Sequence, residues 1–267
     1  EDTGLVKGDY YLSDEEREMF AAVTKVFDKT IVILNVGNVM DLNFIEEYGI
    51  KTDKNPAAEA WVLSCHPAGP STVLNGKYEG KTLQEVYLAD KSICGKKGEN
   101  FEFFPLLIKF LDINDKLSVQ VHPDDLVAAE RYDQLGKAEI WYVMDAKPGA
   151  KMWCGFTRET SAQEFYDRCH AGTVHEILNE IEPKKGDVIF ITPGTVHAAD
   201  AGLLIAEIQE SSDMTFRLYD WGREFNPETA RPTHLAEAID VIDYRPFDFG
   251  LYRKGPLWGD EASYVPC

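Results

Sequence analysis

The chain has 267 residues, of which 44% are hydrophobic and 12% aromatic, so it can bury a core in one large or two small domains. Its formal net charge of −19 argues against nucleic acid and anionic membranes as partners. A site for an anionic small molecule would therefore have to concentrate lysine and arginine locally, against the overall field of the protein.

The cysteines and the N-terminal stretch predict a cytoplasmic protein. The five cysteines are scattered and form no C-x-x-C motif, which is typical of reduced thiols. The acidic stretch EDTGLVKGDYYLSDEEREMF does not read as a signal peptide, and no apolar run reaches the roughly 18 residues that a membrane span needs. The sequence does not indicate an oligomeric state.

The first fifty residues predict a helix, a strand and a second helix. Ser13 and Glu16 form a capping box ahead of a helical apolar stripe. The run TIVILNVGNV at 30–39 is continuously apolar, as in a strand buried on both faces of an α/β sheet. The stretch DLNFIEEYG follows, with Asp41 as N-cap and Gly49 at its end.

After about residue 56, short β-type runs alternate with turn signals. They include AWVLSCH, FFPLLIKFLDIN, KLSVQVH, AEIWYVMDAKPGA, GDVIFITPGTVHAADAGLLIAEIQE and MTFRLYDWG. This spacing predicts an antiparallel sandwich or barrel. We place the boundary between two domains, 1–49 and 50–267, in the change of texture near residues 48–56.

Three helices are predicted within the β-rich part. The first runs from Asp124 to Gly136, with an aspartate as N-cap and a glycine at its end. The second begins at the capping box formed by Ser161 and Glu164, and the third covers 231–243.

Four residues in three strand-like segments suggest a metal site. In LSVQVH (117–122), alternation places Ser118, Gln120 and His122 on one face. Glu139 lies in a later strand, and His197 follows a Pro-Gly corner. Two imidazoles and one carboxylate are a common first shell for a catalytic divalent metal, and Gln120 would be a weaker fourth oxygen ligand that keeps the metal electrophilic. Taken singly, each histidine has an alternative reading as a buried structural residue.

Charged residues near these positions suggest a pocket for an anion. Glu207 and Arg217 lie on the two strands that follow His197, and spacing alone also allows a surface salt bridge between them. Arginine suits a bidentate grip on phosphate. Lys137 shares the face of Glu139 on an extended strand, and Lys109 is flanked by apolar residues. Lys109, Lys137 and Arg217 together would form the local positive pocket that an acidic protein needs for an anionic ligand.

Several of these motifs resemble one family in order and in spacing. LLIKFLDINDKLSVQVHPDD, GKAEIWYVMDAKPGA, PGTVHA and GLLIAEIQESSDMTFRLYDWGR are similar to the short bacterial form of type I mannose-6-phosphate isomerase, a zinc cupin. AEAWVLSCHPAGPSTVLNGKYEGKTL and RPTHLAEAIDVIDY resemble its flanking segments, so the likeness covers about residues 50–245. It implies a mainly β protein, a cupin-type antiparallel β-barrel or jelly roll with a few helices, preceded here by the helix–strand–helix segment.

The resemblance also implies an activity and a set of site residues. The family interconverts mannose 6-phosphate and fructose 6-phosphate, two small sugar phosphates, through a cis-enediol, with one zinc ion per chain. Its base would correspond to Glu207 or Lys137, between which the sequence does not decide. The family's zinc ligands fall on Gln120, His122, Glu139 and His197, and its active-site arginine falls on Arg217. Its remaining pocket residues fall on Lys109, Lys137, Glu207 and Ser118.

Other parts of the chain depart from the family. The family's W-E dipeptide is Trp61-Val62 here, its opening strand with a W-G-G turn is absent, and the chain stops at SYVPC where further strands usually follow. Residues 7–49 instead resemble the second α/β domain of family 3 glycoside hydrolases, without its catalytic nucleophile. We therefore expect a chimera in which TIVILNV docks on the cupin sheet in place of the missing first strand.

Three other functions stay open at this point. One is a cupin that binds or senses a sugar phosphate without turning it over, which the W-V change favours. A second is a non-haem iron oxygenase that uses two histidines and a carboxylate, although Gln120 would fill a position that oxygen needs. The third is a β-glucosidase, which only the first fifty residues support.

Overall fold

The computed structural model describes residues 59–228 and 230–248, together with the backbone of 253–254. By compactness the chain divides into two units, Glu1–Lys109 and Phe110–Cys267. The predicted elements of the first fifty residues, the docking of TIVILNV and the boundary after residue 49 lie outside the described residues and stay predictions. Within the described part of the chain, none of the helices has the length and apolar character to cross a membrane.

Strands dominate the described residues, as the sequence predicts. In chain order the strands are β1 (Glu59–Leu63), β2 (Leu106–Ile113), β3 (Val119–Val121), β4 (Glu139–Ala146), β5 (Met152–Phe156), β6 (Leu178–Ile181), β7 (Val188–Ile191), β8 (His197–Ala199), β9 (Leu203–Glu210), β10 (Phe216–Tyr219) and β11 (Arg253–Lys254). The α-helices are α1 (Leu83–Ala89), α2 (Gly95–Gly98), α3 (Asp125–Tyr132), α4 (Ala162–Ala171) and α5 (Leu235–Ala238).

In the first unit, β1 is the neighbour of β2, the strand in which the division between the units falls. Helix α1 begins at a reciprocal capping box: the Thr82 side chain accepts from the amide of Glu85, and the Glu85 carboxylate accepts from the amide of Thr82. The sequence TLQE carries this signal, so α1 was predictable although it is not among the three helices named above.

The second unit contains two antiparallel sheets, which confirms the mainly β fold. One has the strand order β2-β9-β4-β7-β11 and the other β10-β3-β8-β5-β6. Trp141, Ile189 and Ile205 of the first sheet share a buried cluster with Met152 and Cys154 of the second. The two sheets therefore pack face to face, and side chains on their inner faces enter a common interior.

The outer face of the second sheet is covered by helices. Val119 and Val121 of β3 pack in a separate buried cluster with Phe165 of α4 and Leu235 of α5. Because strand residues alternate in direction, Gln120 between the two valines points to the opposite, inner side of the sheet. This alternation positions the candidate site between the two sheets.

Two predicted elements are shorter than the sequence suggests, each for a local reason. The strand expected over 117–122 covers only Val119–Val121, because the carbonyl of Leu117 accepts the indole N–H of Trp221 at 2.7 Å, and Pro123 has no amide to donate. The helix expected over 231–243 covers only Leu235–Ala238. Residues 231–234 are not helical, and the amide of His234 donates to the carbonyl of Arg217 on β10 at 2.7 Å instead.

The helix expected to end at Gly136 is also shorter. It ends at Asp133, which adopts a left-handed conformation with φ of 53° and donates its amide to the carbonyls of Ala128 and Ala129. Gly136 has a different role: a Cβ at this position would lie 2.3 Å from the amide nitrogen of Asp125. The glycine permits a close approach of two backbone segments just before Lys137. Helix α4, with Ser161 as N-cap, starts where it was predicted.

Candidate metal centre

The inner faces of the two sheets bring three predicted metal ligands together. His122 directly follows β3, Glu139 opens β4 and His197 opens β8. Their ligand atoms all lie within 4.8 Å of one another, and all three side chains are buried. Glu139 Oε2 is 3.4 Å from His122 Nε2, and Glu139 Oε1 is 3.1 Å from His197 Nε2.

Backbone hydrogen bonds connect the segments that carry His122, Glu139 and His197. The carbonyl of His122 accepts from the amide of Gly194, in the turn that leads to His197, at 2.9 Å. The carbonyl of Pro123 accepts from the amide of Lys137, two residues before Glu139, at 3.0 Å. The end of β3 therefore fixes both neighbouring segments through the main chain alone.

The protonation of both imidazoles follows from their backbone partners. His122 Nδ1 lies 2.9 Å from the carbonyl of Met214, and His197 Nδ1 lies 2.9 Å from the carbonyl of Thr195. A carbonyl oxygen can only accept, so Nδ1 carries a hydrogen in each ring, and in the neutral form of each ring Nε2 has the lone pair. Metal-binding histidines are commonly oriented in this way.

With this protonation, the Nε2 atoms of His122 and His197 are hydrogen-bond acceptors that face the carboxylate oxygens of Glu139, which are also acceptors. Among the described residues, neither His122 Nε2 nor either carboxylate oxygen of Glu139 has a hydrogen-bond partner of acceptable geometry. Buried lone pairs that point at one another are unfavourable unless a cation lies among them. The two imidazoles and the carboxylate therefore fit a bound metal ion, with donor types suited to zinc and to other first-row divalent metals.

The pKa values of His122 and Glu139 agree with ligands that carry no proton on their metal-facing atoms. Burial, together with the nearby charge of Lys137, lowers the pKa of His122 to about 3. Burial alone would raise the pKa of Glu139, but the ammonium of Lys137 opposes it, and that pKa lies well below its usual range. Near neutral pH, His122 is thus neutral and Glu139 is ionised.

Gln120 lies at the rim of the cluster, half-buried on β3. It is the cross-strand partner of His197 on one side and of Arg217 on the other. Its Nε2 is 3.2 Å from His197 Nε2, which places the carboxamide beside a metal-facing ring nitrogen. A half-turn of the carboxamide exchanges its nitrogen for its oxygen, which is the atom that could serve as a ligand.

Lys137 and Glu207 lie next to the cluster. Lys137 Nζ is 3.1 Å from Glu139 Oε2 and 3.8 Å from Glu207 Oε1, and both side chains are buried. Glu207 Oε2 accepts the indole N–H of Trp141 at 3.0 Å. Burial of Glu207 rules out the surface salt bridge with Arg217 that spacing alone allowed. A buried amine and a carboxylate so close together can exchange a proton.

Arg217 belongs to a cluster of arginines that sequence reasoning missed in part. Its Nη1 donates to the carbonyl of Pro232 at 2.9 Å. Burial and the charges of Arg231 and Arg223 lower the pKa of Arg217. Arg231 and Arg223 both donate to Asp220, whose side chain is fully buried, through Nη2 to Oδ1 at 2.6 and 2.7 Å. Their signal in the sequence is the basic spacing of RLYDWGR and ARPTHL, which did not by itself indicate a shared partner.

The two other predicted pocket residues lie in different units. Ser118 is buried and directly precedes β3 in the second unit. Lys109 belongs to the first unit, where its Nζ lies 3.5 Å from Glu59 Oε2 and 5.0 Å from the centre of the Trp61 ring. Its assignment to substrate, like that of Ser118, stays a prediction.

Comparisons with known proteins identify the family of the chain. A model of the phosphomannose isomerase type I catalytic domain matches residues 37–156. The crystal structure of mannose 6-phosphate isomerase from Bacillus subtilis is 34% identical with a TM-score of 0.69, over 80% of this chain and 69% of that one. The chain belongs to the type I mannose-6-phosphate isomerase family. The mannose-6-phosphate isomerase of Streptococcus mutans is 40% identical over 74% of this chain. The chain spans 61% of the length of the Streptococcus mutans protein.

Two weaker likenesses bear on the fold and on the N-terminal segment. A mannose 6-phosphate isomerase bound with zinc and yttrium is 16% identical with a TM-score of 0.60, over 86% of this chain and 77% of that one, a likeness of fold alone. A β-glucosidase of Ruminococcus albus is 26% identical over 49% of this chain and 12% of its own length. The glycosidase-like origin of residues 7–49 is thus weakly supported and stays a prediction.

Proposed function

We propose that the chain is a zinc-dependent aldose–ketose isomerase that interconverts mannose 6-phosphate and fructose 6-phosphate through a cis-enediol. The observation that carries the proposal is the buried His122–Glu139–His197 cluster, with both Nδ1 atoms bound to carbonyls and both Nε2 atoms directed at the carboxylate. Membership of the isomerase family supports this reaction. The chain spans only part of the length of its relatives, so the substrate is a proposal.

One zinc ion per chain would be held by His122, Glu139 and His197, with Gln120 as a fourth ligand through its amide oxygen. A distant relative with this fold binds zinc, and the donor types suit that metal. Bound zinc would polarise the sugar oxygens and stabilise negative charge that develops on them.

The proton transfer would be carried out by Glu207 and Lys137. In the aldose-to-ketose direction, a base takes the proton from C2 and returns it to C1, while the hydroxyl proton on O2 leaves and O1 gains one, so atoms and charge balance. Glu207 is a buried carboxylate with Lys137 Nζ 3.8 Å from its Oε1, which suits it as the base. Lys137, as an ammonium ion beside Glu207, would stabilise its ionised form, which is the form that accepts a proton.

The arginine cluster would bind the phosphate. The Nε of Arg217 is buried and makes no hydrogen bond within the described residues, so a donor remains for a ligand. Arg231 is half-exposed while one of its faces is held by Asp220, which leaves its orientation fixed and its charge accessible. In a chain with a net charge of −19, these guanidiniums supply the local positive field that an anionic sugar needs. Ser118, which is buried directly before β3, would be a further contact to the substrate.

The test is metal content and turnover, measured on the parent chain, on His197→Ala and on His170→Ala. His170 is an exposed histidine of α4 and serves as the matched control. One zinc per parent chain, with turnover of mannose 6-phosphate that only His197→Ala abolishes, would support both parts of the proposal. Zinc without turnover would instead support a sugar-phosphate-binding cupin. A parent chain that binds no divalent metal would contradict the metal site itself.

A further inference from the structure

Trp141 contacts two of the candidate residues and is itself fully buried. It lies on β4, two residues after Glu139 and therefore on the same inner face. Its indole Nε1–H donates to Glu207 Oε2 at 3.0 Å. Its ring lies 5.4 Å from the ring of His197 at an interplanar angle of 87°, an edge-to-face contact. One side chain of the first sheet thus contacts a carboxylate on β9 and an imidazole on β8.

The indole hydrogen bond distinguishes the two oxygens of Glu207. Oε2 accepts from Trp141, whereas Oε1 is the oxygen nearest to Lys137 Nζ, at 3.8 Å. Trp141 is also the direct cross-strand partner of Glu207 on neighbouring strands, so their backbones cannot shift apart without loss of the sheet ladder. An indole N–H can only donate, and a fully buried indole has little room to rotate. Trp141 therefore restrains the rotation of the Glu207 carboxylate.

We infer that Trp141 is a positioning residue, which holds Glu207 so that Oε1 faces Lys137 and the reacting carbons. The expected effect of Trp141 on turnover rests on the proposed function. The hydrogen bond between Trp141 and Glu207 does not depend on it. A base that is free to rotate would exchange its proton with water between abstraction and return. A base held by the indole returns that proton more often to the sugar.

The contact can be tested without turnover, by ¹H–¹⁵N NMR of the five indole N–H groups. The resonance that disappears in Trp141→Phe belongs to Trp141. In Glu207→Gln the carboxylate acceptor becomes a weaker amide, so this resonance should move upfield by more than any of the other four. If it moves no more than the others, the hydrogen bond and with it the inference are wrong.

The kinetic arm compares Trp141→Phe with Trp153→Phe. Trp153 is an equally large buried indole on the second sheet and controls for lost packing. Trp141→Phe should lower kcat by about 10- to 100-fold, with KM within about twofold and full metal content, because misplacement of a catalytic group costs about this much. In D₂O it should also incorporate more deuterium per turnover than the parent chain.

The outcomes separate the two ideas. Equal losses of kcat and equal deuterium incorporation in Trp141→Phe and Trp153→Phe would make Trp141 a packing residue and overturn the inference. A parent chain without turnover of either sugar phosphate would contradict the proposed function, and the NMR measurement alone would then decide whether Trp141 holds Glu207.

Discussion

Two charged clusters of the second unit are built in opposite ways. Around Glu139, acceptor atoms converge on one another within a buried space, Lys137 lies at one edge, and the donor set fits an added cation. Around Asp220, the guanidiniums of Arg223 and Arg231 donate to one buried carboxylate and that of Arg217 lies nearby, so positive charge is in excess and most donors already have protein partners. The first cluster therefore fits an added cation, whereas the second balances much of its charge within the protein and keeps an excess of positive charge. The following substitutions test that contrast.

Glu139→Gln is expected to have the largest effect. It removes the anionic ligand and leaves Lys137, which is 4% exposed, with its nearest carboxylate gone. Breaking a buried ion pair costs about 3–5 kcal/mol, and because Glu207 still lies 3.8 Å from Lys137, denaturant titration should show a loss near the low end, about 3 kcal/mol, in the free energy of unfolding. Zinc content, measured by atomic emission, should fall to background. The exposed Glu159→Gln is the control, and equal stability of the two variants would contradict a buried charged cluster.

Asp220→Asn should destabilise the chain less, by about 2 kcal/mol, because the guanidiniums that lose their partner are partly exposed to water. Burial raises the pKa of Asp220, but Arg231 and Arg223 outweigh it, so the pKa is lower folded than unfolded. The stabilisation is therefore complete above the unfolded pKa of about 3.9 and is lost as pH falls through the folded value. Denaturation curves at several pH values should show the difference between parent and variant shrink below about pH 4. A difference that grows on acidification would reverse this assignment.

Arg231→Gln should act on binding with little change in fold. Loss of one charged contact to phosphate is expected to raise KM for fructose 6-phosphate by about tenfold, with kcat nearly unchanged. Steady-state kinetics of this variant and of Arg158→Gln, which removes an exposed arginine paired with Glu164, would measure it. Equal KM values in the two variants would place the phosphate elsewhere.

Gln120→Glu should give the smallest effect, since Gln120 lies between the two clusters as cross-strand partner of both His197 and Arg217. A fourth anionic donor should strengthen zinc binding and reduce the positive charge that polarises the sugar, so kcat should fall severalfold. Competition with a chelator measures the first effect and steady-state kinetics the second. Unchanged zinc affinity would exclude Gln120 as a ligand.

The sequence predicts the metal cluster better than the arginine cluster, for physical reasons. His122, Glu139 and His197 are set by strand alternation and by a Pro-Gly corner, which are local rules that a sequence displays. Asp220, Arg223 and Arg231 meet through a turn and through a segment that follows β10 without becoming a helix, because His234 binds the strand edge. Such pairings depend on tertiary contacts. The contact of Trp141 with Glu207 likewise depends on the register of β4 and β9, which spacing does not fix.

The main-chain bonds at the end of β3 have a consequence for how the site can change. The carbonyls of His122 and Pro123 hold the segments that carry His197 and Glu139, and these bonds are independent of the side chains at the ligand positions. Donor atoms can thus be exchanged, for instance an imidazole for a carboxylate, while the distances between the Cα atoms are kept. The scaffold is therefore a good starting point for directed evolution of metal preference, in which new donor sets are selected without a new backbone.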